Sequence, residues 1–167
     1  MSAMSTFPQE PFGPADRLEI DALPLAVVRH EGITIADLRD AFDRGYRAIG
    51  ALFADGSLSH AGPALAVYHG DPMQTFDLEL GFPVASGPAA PIESDGVTVT
   101  ASALPAGAAR ATSVFGSYDG LGEAWMGLAD RTAADGDKPR GVWIEVYVSD
   151  PGEAPENLRT DLILPLA

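Results

Sequence analysis

Two stretches of the sequence, 79 residues apart, carry one pattern: Ala66–Pro72 reads AVYHGDP and Glu145–Pro151 reads EVYVSDP, sharing Val-Tyr-x-x-Asp-Pro. Tyr68 and Tyr147, Asp71 and Asp150, and Pro72 and Pro151 all keep this offset. A second pair, LPLAVVR from Leu23 and LPAGAAR from Leu104, is offset by 81. A nearly constant offset marks a duplicated unit whose loops differ slightly in length.

Each half has the same order of elements. RLEIDALPLAVVRH reads as a strand, and TIADLRDAFDRGYRAIGALFADG follows with Ile35, Leu38, Phe42, Ile49 and Leu52 at helical spacing. Thr34 fits an N-cap answered by Asp37, and Asp55-Gly56 fits a stop. The strands ALAVYH and TFDLELGFPV then join through a turn at Gly70-Asp71-Pro72. In the second half the strand VTVTASALPAGAARATSVF precedes a helix from about Asp119 to Asp130, with Leu121, Trp125 and Leu128 on one stripe. VWIEVYVS and LRTDLILPL complete it.

The spacing therefore predicts an α+β fold of duplicated β-α-β-β units with pseudo-twofold symmetry. Its sheet is mostly antiparallel, with two helices on one face and a ligand cleft between the repeats. Residues 1–16, rich in Pro, Ser and Gly, read as a flexible segment ahead of a single domain over 17–166. Within it, repeat one covers about 17–85, a linker about 86–95 and repeat two about 96–166.

The strand at 142–148 raises the functional question. Val142, Ile144, Val146 and Val148 take one face, which leaves Trp143, Glu145 and Tyr147 on the other. If the aliphatic face packs under the helices, the indole, acid and phenol look into the cleft. A carboxylate withdrawn from water must be hydrogen-bonded, protonated or paired with a cation. The hydroxyl of Tyr147 or of Tyr68, its repeat counterpart, is placed to reach it. The repeat also pairs Ala66 with Glu145 and Ala64 with Trp143, so small residues face large ones and leave room for a guest. A delocalised cation would gain charge pairing from Glu145 and about 0.5 to 2 kcal/mol from each aromatic face. The competing reading is a solvated sheet face on which Glu145 is an ordinary surface acid. Phe42, Phe53 and Trp125 read as core, and Phe115 and Tyr118 as cleft rim or loop packing.

Charge and absent motifs narrow the function. With 24 acidic and 10 basic residues, a formal net charge of −14 disfavours nucleic acid and anionic membrane surfaces. The absence of cysteine removes disulfides, thiolate metal sites and thiol nucleophiles. MSAMSTFPQEPFGPAD lacks a basic start and an apolar run, so a cytoplasmic location is expected. His30, His60 and His69 lack metal-ligand spacing. There is no Gly-x-Ser-x-Gly elbow, and GLGEAW places Trp125 where a dinucleotide fingerprint needs glycine. No metal and no cofactor are expected.

DLELGFPV (Asp77 to Val84), FGSYDGLGEAWMGL (Phe115 to Leu128) and WIEVYVSDP (Trp143 to Pro151) resemble, in order and spacing, three signature blocks of one family. This is the GyrI-like small-molecule-binding domain, also called the AraC effector-binding or multidrug-regulator effector domain, of the SOUL-like superfamily. The resemblance covers about residues 17–166. It implies the same duplicated fold and a cleft that binds hydrophobic, often cationic, small molecules around a glutamate, here Glu145 with Tyr147 completing the block. Two departures matter. There is no room for a helix-turn-helix before residue 17, which points to a stand-alone form, and Phe115 stands where the block often has histidine. The ligand-binding set expected is Glu145, Tyr147, Trp143, Tyr68, Ala66, Phe115 and Tyr118. The favoured reading is a non-catalytic binder that sequesters or senses its ligand. Resemblance to stand-alone hydrolases that open strained cyclopropane rings of DNA-alkylating natural products gives an alternative, with Glu145 and Tyr147 catalytic. Resemblance to gyrase-inhibitor-like modules gives a third, with a protein partner.

Overall fold

The Leu-Pro pairs at 23–24 and 104–105 break each of the two long strands expected at the repeat starts. Proline cannot donate to a ladder, and each pair sits where one strand ends and the next begins. The structure, a computed structural model, describes residues 7–59, 61–71, 73–149 and 154–167. Residues 1–6, His60, Pro72, Asp150 and Pro151 of the motifs above lie outside them. In chain order the elements are β1 (Asp16–Ile20), β2 (Pro24–Ile33), α1 (Leu38–Ala54), β3 (Ala64–Gly70), β4 (Phe76–Pro83), β5 (Ile92–Ser94), β6 (Val97–Ala103), β7 (Gly107–Phe115), α2 (Leu121–Ala134), β8 (Val142–Tyr147) and β9 (Arg159–Pro165). The fold is α+β with a mostly antiparallel sheet, and the neighbouring strands within each of its parts pair antiparallel.

The chain forms two compact units, one of residues 22–104 and the other of residues 1–21 with 105–167. In the first, the strand order is β3-β4-β2-β6-β5. Helix α1 covers the sheet face that carries Ala26, Val28 and Val99, which cluster with Ala48, Ile49 and Leu52. Its inward stripe is Ala41, Gly45, Ala48, Ile49 and Leu52, whereas Ile35, counted on the expected stripe, is 53% exposed. Small residues on the stripe let the helix sit close: a Cβ on Gly45 would come 3.3 Å from Leu80 Cδ1. Thr34 N donates to Asp37 Oδ2 over 3.0 Å at the helix entry, and Gly56 leaves the helix at φ +82°, both as expected. The span expected to be linker contains β5, which pairs with β6 through a two-residue turn at Asp95-Gly96. Both turn residues have positive φ, 50° and 81°, the backbone a tight hairpin needs.

In the second unit the order is β1-β7-β9-β8. Helix α2, longer than expected at Leu121–Ala134, packs Leu128 against Leu162 and Leu164 of β9. Strand β9 is buried along its whole length, including Arg159, Thr160 and Asp161. Polar groups there need partners, and Arg159 supplies them. Its Nε donates to Asp161 Oδ1 over 3.0 Å and its Nη2 to Oδ2 over 2.9 Å. Ser113 Oγ donates to the same Oδ1. The guanidinium also reaches the carbonyls of Pro8, Gln9 and Glu10, while Phe12, 5% exposed, donates its N–H to Ser113 Oγ. The stretch expected to be a flexible lead-in is thus tied down from Pro8 onward, because a buried guanidinium with five donors needs those carbonyls.

Candidate functional site

Strand β8 and helix α2 bring three aromatic rings to one acid, and the turn ahead of α2 adds a fourth beyond them. Glu145 is 7% exposed, so it is not a solvent-washed surface carboxylate. Trp125 Nε1, from α2, donates to Glu145 Oε2 over 2.8 Å. Tyr147 OH, two residues along the strand on the same face, donates to Oε1 over 2.7 Å. Trp143 completes that face and meets Trp125 edge to face at 5.2 Å and 83°. Tyr118, in the 3-10 turn ahead of α2, meets Tyr147 edge to face at 6.0 Å. Both carboxylate oxygens are therefore held by neutral aromatic donors inside a ring-lined setting.

The face assignment made from sequence is reversed in this unit. Trp143 packs with α2 against Leu128, Leu162 and Leu164, so the Trp143–Glu145–Tyr147 face lies under the helix. Ile144 and Val146 point to the opposite face, across from Ile163 and Asp161, and they too are buried, at 0% and 1%. Alternation shows which residues share a face. When both faces are buried it cannot show which one the helix covers.

The remaining expected residues divide. Glu145, Tyr147, Trp143 and Tyr118 come together, and Trp125, read from its helical stripe as core alone, joins them. Its signal was chemical: a buried indole N–H needs an acceptor, and the acid is within reach of that stripe. Ala66 and Tyr68 stand on β3 in the other unit, buried at 0% and 7%. There they share the α1-covered face with Val28, through the cross-strand rows Ala66–Leu80–Val28 and Tyr68–Leu78–His30. Phe115 lies 59% exposed at the end of β7 and lines a cavity of about 360 Å³ between β7 and α2 that does not include Glu145.

Sequence reasoning missed a second buried acid. Glu79 on β4 sits on the sheet face away from α1, 8% exposed. His69 Nε2 lies 2.7 Å from its Oε1, Ser102 Oγ donates to Oε2, and Arg29 stands 3.8 Å away. Burial pushes its pKa up, but the hydrogen bonds from His69 and Ser102 and the charges of His69 and Arg29 outweigh that, leaving it below the ordinary value. His30 Nε2 is buried and without a partner, and burial, then the charge of Arg44, lower the pKa of that ring. Among the described residues no group of three or more His, Asp or Glu side chains could hold a metal ion, and no helix is long and apolar enough to cross a membrane.

The GyrI-like small molecule binding domain model matches residues 14–167, and the chain belongs to that family. Among curated proteins none matches the sequence. Solved structures share the fold at low identity. The EcmrR C-terminal domain is 17% identical with a TM-score of 0.73, over 92% of this chain and 96% of that one. SAV2435 bound to tetraphenylphosphonium is 10% identical with a TM-score of 0.67, over 92% and 93%. A hydrolase from Listeria innocua is 15% identical with a TM-score of 0.63, over 95% and 94%.

Proposed function

We propose that this chain binds a hydrophobic or cationic small molecule against Glu145, with the surrounding rings supplying stacking surface. The observation that carries this is the acid itself, 7% exposed and bounded by Trp125, Trp143, Tyr147 and, beyond the phenol, Tyr118. A carboxylate in such surroundings attracts a delocalised cation more strongly than one in water does, because the field is less screened and the ring faces add their own attraction. Family membership supports a small-molecule ligand, and the tetraphenylphosphonium complex of SAV2435 supports its cationic class. The test titrates the protein with tetraphenylphosphonium and with tetraphenylborate, which has the same shape and opposite charge. Glu145→Gln is expected to weaken the cation about tenfold or more and to spare or improve the anion. Equal losses for both would remove Glu145 from the charge-pairing role.

A hydrolase is the second reading, favoured by the 2.7 Å hydrogen bond between Tyr147 and Glu145. In it Glu145 accepts a proton from water, the water oxygen bonds to a strained ring carbon, the ring C–C bond breaks, and the released carbon takes a proton. The Listeria innocua hydrolase lends this reading fold-level support. Mass spectrometry of a cyclopropane electrophile incubated with the protein tests it: a product one water heavier, lost in Glu145→Gln, is required.

A further inference from the structure

We propose that the groove between α2 and β7 is a second ligand site, which takes a small amphiphilic anion of the medium-chain carboxylate class. Its volume, about 360 Å³, falls within the roughly 300–1,000 Å³ of small-molecule sites. Val114 and Phe115 of β7, Leu128 of α2 and Pro14 give it apolar walls. Gly127 gives it room. A Cβ on that glycine would meet nothing within 4 Å, so its bareness serves no tight packing, although glycine is a poor helix former.

Arg131, one helical turn beyond Gly127, lines the same groove and sets its charge preference. Its Nη1 donates to Pro14 O over 3.2 Å, which holds the guanidinium at the groove. Among the described residues it makes no salt bridge. Among the described residues no acid lines the groove, in a chain whose formal net charge is −14. A guanidinium retains further N–H donors in a fork that suits a carboxylate. The occupant would place its carboxylate on Arg131 and its alkyl chain along Leu128, Val114 and Phe115. This charge preference is opposite to that of Glu145, which meets α2 through Trp125 and does not line the groove.

The test uses the whole chain and calorimetric titration with decanoate and with decanol, its neutral counterpart. Gly127→Leu fills the groove, Arg131→Met removes the charge while keeping an apolar stem, and Arg47→Met, an exposed arginine of α1 in the other unit, serves as the control away from the groove. Thermal unfolding confirms that each variant is folded. Gly127→Leu is expected to weaken both probes, and Arg131→Met to weaken decanoate about tenfold while leaving decanol within twofold. Arg47→Met should leave decanoate binding unchanged. The proposal is overturned if the natural sequence does not bind decanoate, if Gly127→Leu binds it undiminished, or if Arg131→Met costs decanol as much as decanoate.

Discussion

Trp125 and Glu145 meet between helix and strand, the indole Nε1 donating to the carboxylate Oε2 over 2.8 Å. This bond fixes an acid that burial would otherwise penalise. Trp125→Phe keeps most of the ring packing and deletes the N–H. It is expected to destabilise the protein by about 1–3 kcal/mol, the cost of taking one charge-assisted hydrogen bond from a buried carboxylate, read by urea denaturation. In a Glu145→Gln background the same change should cost less, since a neutral amide oxygen loses less with the donor. Equal costs in the two backgrounds would show that the hydrogen bond carries no stability of its own.

Arg159 joins the buried Asp161, 1% exposed, to the carbonyls of Pro8, Gln9 and Glu10. Arg159→Met strands a buried charge and is expected to cost about 3–5 kcal/mol. It also removes what holds the N-terminal stretch, so limited proteolysis should cut near residues 8–10 faster than in the natural sequence. Pairing the change with Asp161→Asn should recover stability but not protection. Recovery of both would show that the carbonyl contacts do not hold the stretch.

Much of this architecture was legible in the sequence, because local chemistry carried it. The 79-residue offset gave two matching sets of elements, and Asp55-Gly56 stopped α1 as turn chemistry requires. Asp95-Gly96 was an equally good hairpin signal, passed over because the Pro- and Gly-rich span around it read as linker. What local pattern could not carry was the third dimension. The alternation in β8 identified Trp143, Glu145 and Tyr147 as one face but assigned α2 to the other, since both faces are buried. Glu79 and Asp161 sit in strands where an outward-pointing acid was the simpler reading. Only the cross-strand arrangement brings Ser102 and His69 to one and Ser113 to the other, whose guanidinium partner Arg159 stands two residues back on the same strand.

Two glycines should respond in opposite directions. A Cβ on Gly81, in β4, would overlap the carbonyl oxygen of Ala26 on β2. That neighbour is backbone and cannot step aside without breaking the Val27–Gly81 pairing, so Gly81→Ala is expected to cost more than about 3 kcal/mol. Gly127→Ala enters open space in a helix and should add about 0.5–1 kcal/mol. Thermal unfolding of the two variants decides the matter, and a stable Gly81→Ala would mean that β2 and β4 can separate at little cost.

Glu79 makes stability depend on acid in a direction that can be worked out. Its carboxyl is held below its ordinary value of 4.5 by His69, Ser102 and Arg29 against the upward push of burial. The unfolded chain therefore takes up a proton at Glu79 before the folded one does. The resulting stabilisation is fully present above about pH 4.5 and disappears as pH falls through the lower folded value. Glu79→Gln should be less stable than the natural sequence at about pH 5 by about 1–3 kcal/mol, with a gap that narrows as pH falls further. Urea denaturation from about pH 5 to about pH 3.5 measures that gap. A gap that widens in acid would mean that burial, not the His69–Ser102–Arg29 cluster, dominates the carboxyl.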